Sequence, residues 1–341
     1  MTKTLTIQHR TDWMYYVCHA AEHDCYHTWN FHSLNSNGTA LLFIYEEELD
    51  FIAFPFIKRS IEGTEYNDLS SVQGYVGPIS NQRLNQLNES FKDNFRKALS
   101  QFLVENNIVS VFSRTHPFFD QCHLLEKLGG IHENGFTLAI DLSLPIEQQR
   151  QAYRTTTYSA IKKAWKKGYT LRDEKSEEAI KIFLLIYDET MNRVEATNYY
   201  RFDDSYIHML LHTNEYDARL LTVYDGEVPI ASTVIIISKG IMQAYLIATR
   251  QAYLHLSPAK FIVDAVSELG RTLGLKYYNL GGGLGFKEDG LFDWKSSFTN
   301  LRIPFRSWRY ISNSNIYHEL LEEKGIDKDL DVDFFPLYRF A

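Results

Sequence analysis

Cysteine is scarce in this chain. The three present, Cys18, Cys25 and Cys122, are too few and too irregularly spaced to staple 341 residues with disulfides. No apolar run approaches the roughly 20 residues that a membrane span requires, and the opening MTKTLTIQHRTDW has no apolar core of a signal sequence. The expectation is a soluble, cytoplasmic protein. Positive charge is in deficit, with a net charge of -8, which argues against non-specific polyanion binding over the whole surface and leaves room only for a local basic patch. Core-forming residues, by contrast, are plentiful. At 45% hydrophobic and 14% aromatic, the length is enough for two buried cores.

The stretch CHAAEHDCYHTWNFH crowds Cys18, His19, His23, Cys25, His27 and His32 together, yet zinc ligands come as paired close spacings and no second pair follows downstream. It also reads as an amphipathic helix from about Asp12, with Trp13, Tyr16, Val17 and Ala20 on one face, so no metal is expected.

From Leu220 the pattern is a β-meander, LLTVY, VPIASTVIII and IMQAYLIA, punctuated by Asp225-Gly226 and Lys239-Gly240. Ser257-Pro258 then reads as an N-cap and first turn for a helix that carries Ile262, Ala265, Val266, Leu269 and Leu273 and stops at Gly274. The strand LKYYNL follows. The first half repeats this order: the hairpin ALLFIY and DFIAFPFI, the segment YNDLSSVQGYVGPIS, a helix from about Gln82 to Val104, and the strands IVSVFS and GFTLAIDL. A duplicated α/β unit with mixed (α+β) sheets is the economical reading, joined near Leu144-Pro145. The expected domains are 1–145, completed by residues 317–341, and 146–316.

Acid is missing between Arg154 and Arg172. The helix there, YRTTTYSAIKKAWKKGYTLR, has a core stripe of Ile161, Ala164 and Trp165, while Lys162, Lys163, Lys166 and Lys167 make the rest basic. Such a face suits the phosphates of a ligand or nucleic acid, or simply complements the helix dipole in solvent. The second unusual segment is LGGGLGFKEDGLFDWKSSF. Three glycines at the end of a strand open a loop where backbone can approach a ligand, and the loop runs into Trp294 and Lys295.

In order and spacing these segments together resemble the FemABX-like transferases of the GNAT superfamily. FPFIKRSI with YNDLSSVQGYVGPIS resembles the family's proline-arginine strand and GYxGP turn, and YSAIKKAWKKG its basic helix, RYNIKKAxKKG. ETMNRVEATNYYRF, NLGGG with DGLFDWKSSF, and the terminal FFPLYR resemble three further family segments. The likeness covers nearly the whole chain and implies two tandem GNAT-like domains. It also implies an acyltransferase, moving an amino acid from aminoacyl-tRNA to an amine of a cell-envelope glycan or peptidoglycan-type precursor. Lys295 would then face the donor carbonyl, with Trp294, Gly281, Gly282 and Gly283 shaping the donor site. Tyr158 stands where the family has arginine, with Lys162 one turn later as a replacement charge. Arg193, Tyr199, Tyr200, Tyr245, Arg250 and Lys260 are further candidates on the donor side, and Lys58, Arg59 and Tyr75 on the acceptor side. The compact chain lacks the helical arm that some relatives insert.

Glycine is also missing where coenzyme A enzymes of the superfamily use it. RQAYLHLSPAKF precedes the crossover helix with no glycine and with Pro258, which has no amide hydrogen, although Arg250 and Lys260 could still meet a phosphate. No tightly bound cofactor is expected; the donor is aminoacyl-tRNA or, alternatively, acetyl-CoA for an amino-sugar N-acetyltransferase. The acceptor is a glycan or glycopeptide, and contact with membrane-linked precursors is expected to be peripheral. A non-catalytic glycan-binding protein is the third reading.

Overall fold

A computed structural model describes residues 1–34, 37–197 and 200–340. Two compact units emerge, one of Met1–Gly135 with Pro304–Ala341 and one of Phe136–Ile303.

The first unit opens with β1 (Thr2–Thr6), α1 (Arg10–His19) and α2 (Trp29–Ser33), then runs through β2 (Thr39–Glu47), β3 (Asp50–Ser60), β4 (Asn67–Ser70) and the short β5 (Ile79–Ser80). Helix α3 (Glu89–Glu105) crosses over to β6 (Ile108–Arg114), burying Phe91, Phe95, Leu99 and Leu103 at helical spacing. It starts seven residues later than Gln82. Leu84 and Leu87 do enter the core, but from a separate 3-10 turn, and the Asn88 side chain accepts from Ser90 N to begin the helix proper. After α4 (Cys122–Leu125), β7 (Ile131–Asp141) leads out of the first unit.

The second unit continues with α5 (Ile146–Gln151), α6 (Thr155–Lys167), β8 (Thr170–Asp173), α7 (Glu177–Arg193) and α8 (Asp204–Leu211). The meander β9 (Asp217–Asp225), β10 (Val228–Ser238) and β11 (Ile241–Thr249) lies where the turn signals put it. Helix α9 (Pro258–Thr272) crosses to β12 (Tyr277–Gly281), and α10 (Gly290–Ser296) follows. Strand β13 (Arg302–Ile311) and α11 (Ser314–Glu323) return to the first unit.

The two units share one pattern. In the first the strand order is β1-β2-β3-β4-β6-β13, and in the second β8-β9-β10-β11-β12-β7. In each, the fourth and fifth strands run parallel across a crossover helix and the other neighbours are antiparallel. The sixth strand is exchanged: β7 follows β6 in the chain but pairs with β12, and β13 follows β12 but pairs with β6. This moves the division to Gly135/Phe136 and Ile303/Pro304, where the expected limits were 145 and 316. Periodicity marks a strand but says nothing about its partner.

Most of the Cys/His stretch is core: His23, Cys25, His27 and His32 are buried, while Cys18 and His19 are exposed. His116 Nε2 lies 2.8 Å from Asp24 Oδ2 with both side chains fully buried, His27 Nε2 lies 3.0 Å from Val76 O, and His32 Nδ1 lies 3.0 Å from Thr28 O. Burial pulls His27 down to about 3 and His32 to about 4, so both are neutral. Among the described residues no group of three His, Cys, Asp or Glu is arranged to hold a metal. The GYVGP turn packs on this layer: a Cβ at Gly74 would lie 2.2 Å from the Tyr26 ring, and one at Gly77 2.1 Å from Gln121 Oε1.

Candidate active site

Strands β11 and β12 pair over three residues only, Ile241–Gln243 against Tyr277–Asn279. Beyond them β11 runs on to Thr249, while Gly281 registers with Leu138 of β7 instead. The sheet of the second unit therefore opens at the C-terminal ends of its two parallel strands, where α/β proteins place ligands. Asn279 anchors the fork. Its amide nitrogen donates to Gln243 Oε1 at 2.7 Å, and its oxygen accepts from Thr137 Oγ1 at 2.8 Å and Gly281 N at 3.1 Å.

After the fork, residues 282–289 form a loop with one 3-10 turn, Leu284–Phe286, that leads into a helix. Helix α10 carries both Trp294 and Lys295, begun by Asp289, whose Oδ1 accepts from Phe292 N at 2.9 Å. Lys295 turns back from the helix and donates through Nζ to Gly282 O at 2.6 Å. Its amine is partly buried, and loss of solvent lowers its pKa to about 8 against the opposing pull of the Asp289 carboxylate. The ammonium thus sits at the strand end in a setting poorer in water than an ordinary surface lysine.

Two sequence readings change here. The glycines make room for the protein's own backbone: a Cβ at Gly282 would stand 3.0 Å from Phe136 O, and one at Gly283 2.0 Å from Lys287 O. Gly281 adopts φ 77, open to glycine at little cost. Trp294 is a core residue more than a free aromatic wall, its ring 5.1 Å from that of Phe298 in an edge contact.

The remaining donor-side candidates fall into three places. Along β11 and its extension lie Tyr245, whose hydroxyl pairs with that of Tyr206, and Arg193, which donates to Thr249 O at 3.1 Å from the end of α7. Arg250 is there too, its backbone amide donating to Ile230 O at 3.0 Å, and Tyr200 O accepts from Tyr187 Oη at 2.8 Å. Tyr199 lies outside the described residues. On α6, the Lys162 ammonium sits 4.7 Å from the Tyr158 ring centroid. Trp165 of that helix is not core as expected: it is 37% exposed, with the Arg150 guanidinium 4.3 Å over its ring. Lys260, on α9, is partly buried, and its pKa is lowered by burial and by the Arg154 charge.

Ser257 is not the side-chain cap that Ser-Pro implies. It takes a left-handed conformation (φ 53), and its hydroxyl makes no capping bond. Of the first residues of α9, Pro258 has no N–H and the Lys260 amide donates to Ser257 O. Beside this helix start lies a groove of about 500 Å³ lined by Thr155, Ser159, Lys163, Tyr169, His255 and Ser257.

Sequence reasoning missed Arg154 and Asp289. Arg154 precedes α6 and grips α10, donating to both oxygens of Asp293 (2.6 and 2.8 Å) and to Ser296 Oγ at 2.8 Å. The available signal was the Asp-Gly-Leu-Phe order, a capping residue before an apolar turn, overshadowed by the glycines.

The acceptor-side candidates have three different surroundings in the first unit. Arg59 Nε donates to the buried Asp68 Oδ1 at 2.7 Å, which makes it a structural partner. The Tyr75 ring stands edge-on to Tyr26, His116 and Phe305. Lys58 lines a groove of about 460 Å³ with Lys3, Thr39 and Gln101.

Comparison with known proteins bears on the fold. Residues 151–296 match the family described as "Acetyltransferase (GNAT) domain". The structure of FemX superposes with a TM-score of 0.69 at 12% identity, over 94% of this chain and 99% of that one. The chain has the fold of FemX, and its residues 151–296 form a GNAT domain. L-PGS from Bacillus licheniformis is also similar to this chain (TM-score 0.54, 14% identity, 81% and 86% covered). So is a conserved protein of unknown function from Bacteroides thetaiotaomicron (TM-score 0.59, 10% identity, 91% and 99% covered). No curated protein matches the sequence.

Proposed function

We propose that this chain is a GNAT acyltransferase that moves an aminoacyl group from aminoacyl-tRNA to an amine of a cell-envelope glycan or peptidoglycan-type precursor. The observation that carries the reading is Lys295, a partly buried ammonium held on Gly282 O where β11 and β12 part. A neutral amine attacking the donor ester carbonyl forms a C–N bond and puts negative charge on the carbonyl oxygen. An ammonium has three N–H groups, and only one need remain on Gly282 O while another meets that oxyanion. Collapse breaks the ester C–O bond, and the proton lost by the amine ends on the departing ribose oxygen.

The working form is the cation, so the pH dependence has a sign. Lys295 is charged below its value of about 8 and neutral above it. Transfer is expected to fall as pH rises through about 8, once the acceptor amine's own titration has been divided out. A rate that climbs steadily to pH 10 would overturn the role.

The start of α9 favours tRNA over coenzyme A as donor, because Pro258 offers no amide and that of Lys260 is already engaged, leaving a poor cradle for a pyrophosphate. Arg250, Arg193 and Tyr245 along β11, with Tyr158 and Lys162 on α6, are the residues to test for contact with the RNA end, and Tyr199 and Tyr200 for the aminoacyl group. Lys58 is the acceptor-side candidate retained. Contact with a membrane-linked precursor would be peripheral, since among the described residues no helix is long and apolar enough to cross a membrane.

The groove lined by Thr155, Ser159, Lys163 and Ser257 keeps acetyl-CoA as a second reading. Thermal shift separates them, because only a ligand that prefers the native state raises the melting temperature. Charged tRNA should raise it and coenzyme A should not. The reverse result moves the assignment to the second reading.

A further inference from the structure

The carboxylate of Asp289 binds two parts of the site at once. Oδ1 accepts from Phe292 N at 2.9 Å, beginning α10, and Oδ2 accepts from Leu284 N at 3.0 Å, fixing the turn that follows Gly283. Gly283 is packed so tightly against it that an added Cβ would lie 2.4 Å from Oδ1. A ring results, running from Gly282 through the turn to Asp289, along α10 to Lys295, and back through its ammonium to Gly282 O. The segment after β12 and the helix that carries the lysine are tied by the Asp289 carboxylate at the start of α10 and by the Lys295 ammonium near its end.

The other carboxylates of this segment are paired. Glu288 bridges to Arg302, and Asp293, two residues before Lys295, is held by Arg154 from the start of α6. Lys287, in the same turn, adds positive charge. Asp289 is therefore the negative group left to act on Lys295.

We propose that Asp289 is a positioning residue of the candidate site, setting both the place of Lys295 and the pH range over which it carries charge. The inference rests on Lys295 as the working cation. The shift at Lys295 is consistent with it, since burial lowers the pKa and Asp289 opposes that lowering. Asparagine can still cap α10 through its one oxygen, but it carries no charge and its amide nitrogen cannot accept from Leu284 N, so the substitution removes the charge together with the bond to the turn.

The test is the pH dependence of acetylation of Lys295 by acetic anhydride, read at the Lys295 peptide by mass spectrometry. It is run in the full chain and in its Asp289→Asn and Asp289→Glu variants. Asp289→Asn should move the titration midpoint of Lys295 down by about one unit, making it roughly fivefold more reactive near pH 7, where the neutral fraction rises from about a tenth to about a half. Asp289→Glu should restore the midpoint. An unchanged midpoint in a folded Asp289→Asn chain overturns the proposal. The alkaline fall of transfer should move with the labelling midpoint. If labelling shifts while transfer ignores it, Asp289 stands and the role given to Lys295 falls.

Discussion

Lys295→Ala is expected to lower turnover by about 10²- to 10³-fold, the usual loss when one oxyanion donor is removed, while changing donor and acceptor binding little. In the proposed role the side chain acts only through its ammonium, which is held on Gly282 O. An interaction made only in the transition state shows in kcat and kcat/KM together and leaves KM near its original value. Lys295→Arg should rescue poorly, because a planar guanidinium cannot aim a compact point charge from the same place. Turnover at the wild-type level in the alanine variant would remove Lys295 from the chemistry. A rise in KM with kcat unchanged would make it a ground-state binding residue instead.

The second large effect is on stability, and it lies in the first unit. Asp68 is fully buried. Its carboxylate accepts from Arg59 Nε at 2.7 Å, from Tyr338 Oη at 3.1 Å and from Arg339 Nε, and Tyr338 Oη also lies 2.7 Å from Ser110 Oγ. Breaking a buried ion pair on one side commonly costs about 3–5 kcal/mol. The two arginines are partly exposed and can recover some hydration, so about 3 kcal/mol is expected for Asp68→Ala. Equilibrium unfolding in urea measures it as a lower midpoint at unchanged slope. A loss below about 1 kcal/mol, the range of a surface pair, would show that the network contributes little.

These two residues mark what could be read in the sequence. The meander, the crossover helix from Pro258 and the strand into the glycines were legible because period-2 and period-3.6 patterns follow directly from which faces are buried. The FFPLYR segment was visible as a motif, but its partner Asp68 lies 270 positions away, and no local pattern records such a pairing. At the site, Lys295 stood out because the aromatic-lysine pair is distinctive. Asp289 did not, because one capping aspartate looks like any other until its second oxygen is seen on Leu284 N. Ser257 misled for a related reason: Ser-Pro is a sound helix-start signal, but a left-handed residue at that position turns the hydroxyl away from the capping bond. Trp165 matched the helical stripe and still lies at the surface, since Ile161 and Ala164 already fill the buried face of α6.

The exchange of β7 and β13 has a consequence for any attempt to divide the molecule. A fragment ending near Leu144 would keep β7 without β12 and leave β6 as a raw edge, and the complementary piece would expose β12 in the same way. Unprotected edges invite pairing with other chains. Truncation should therefore give insoluble fragments, and co-expression of the two pieces should recover soluble protein where either alone does not.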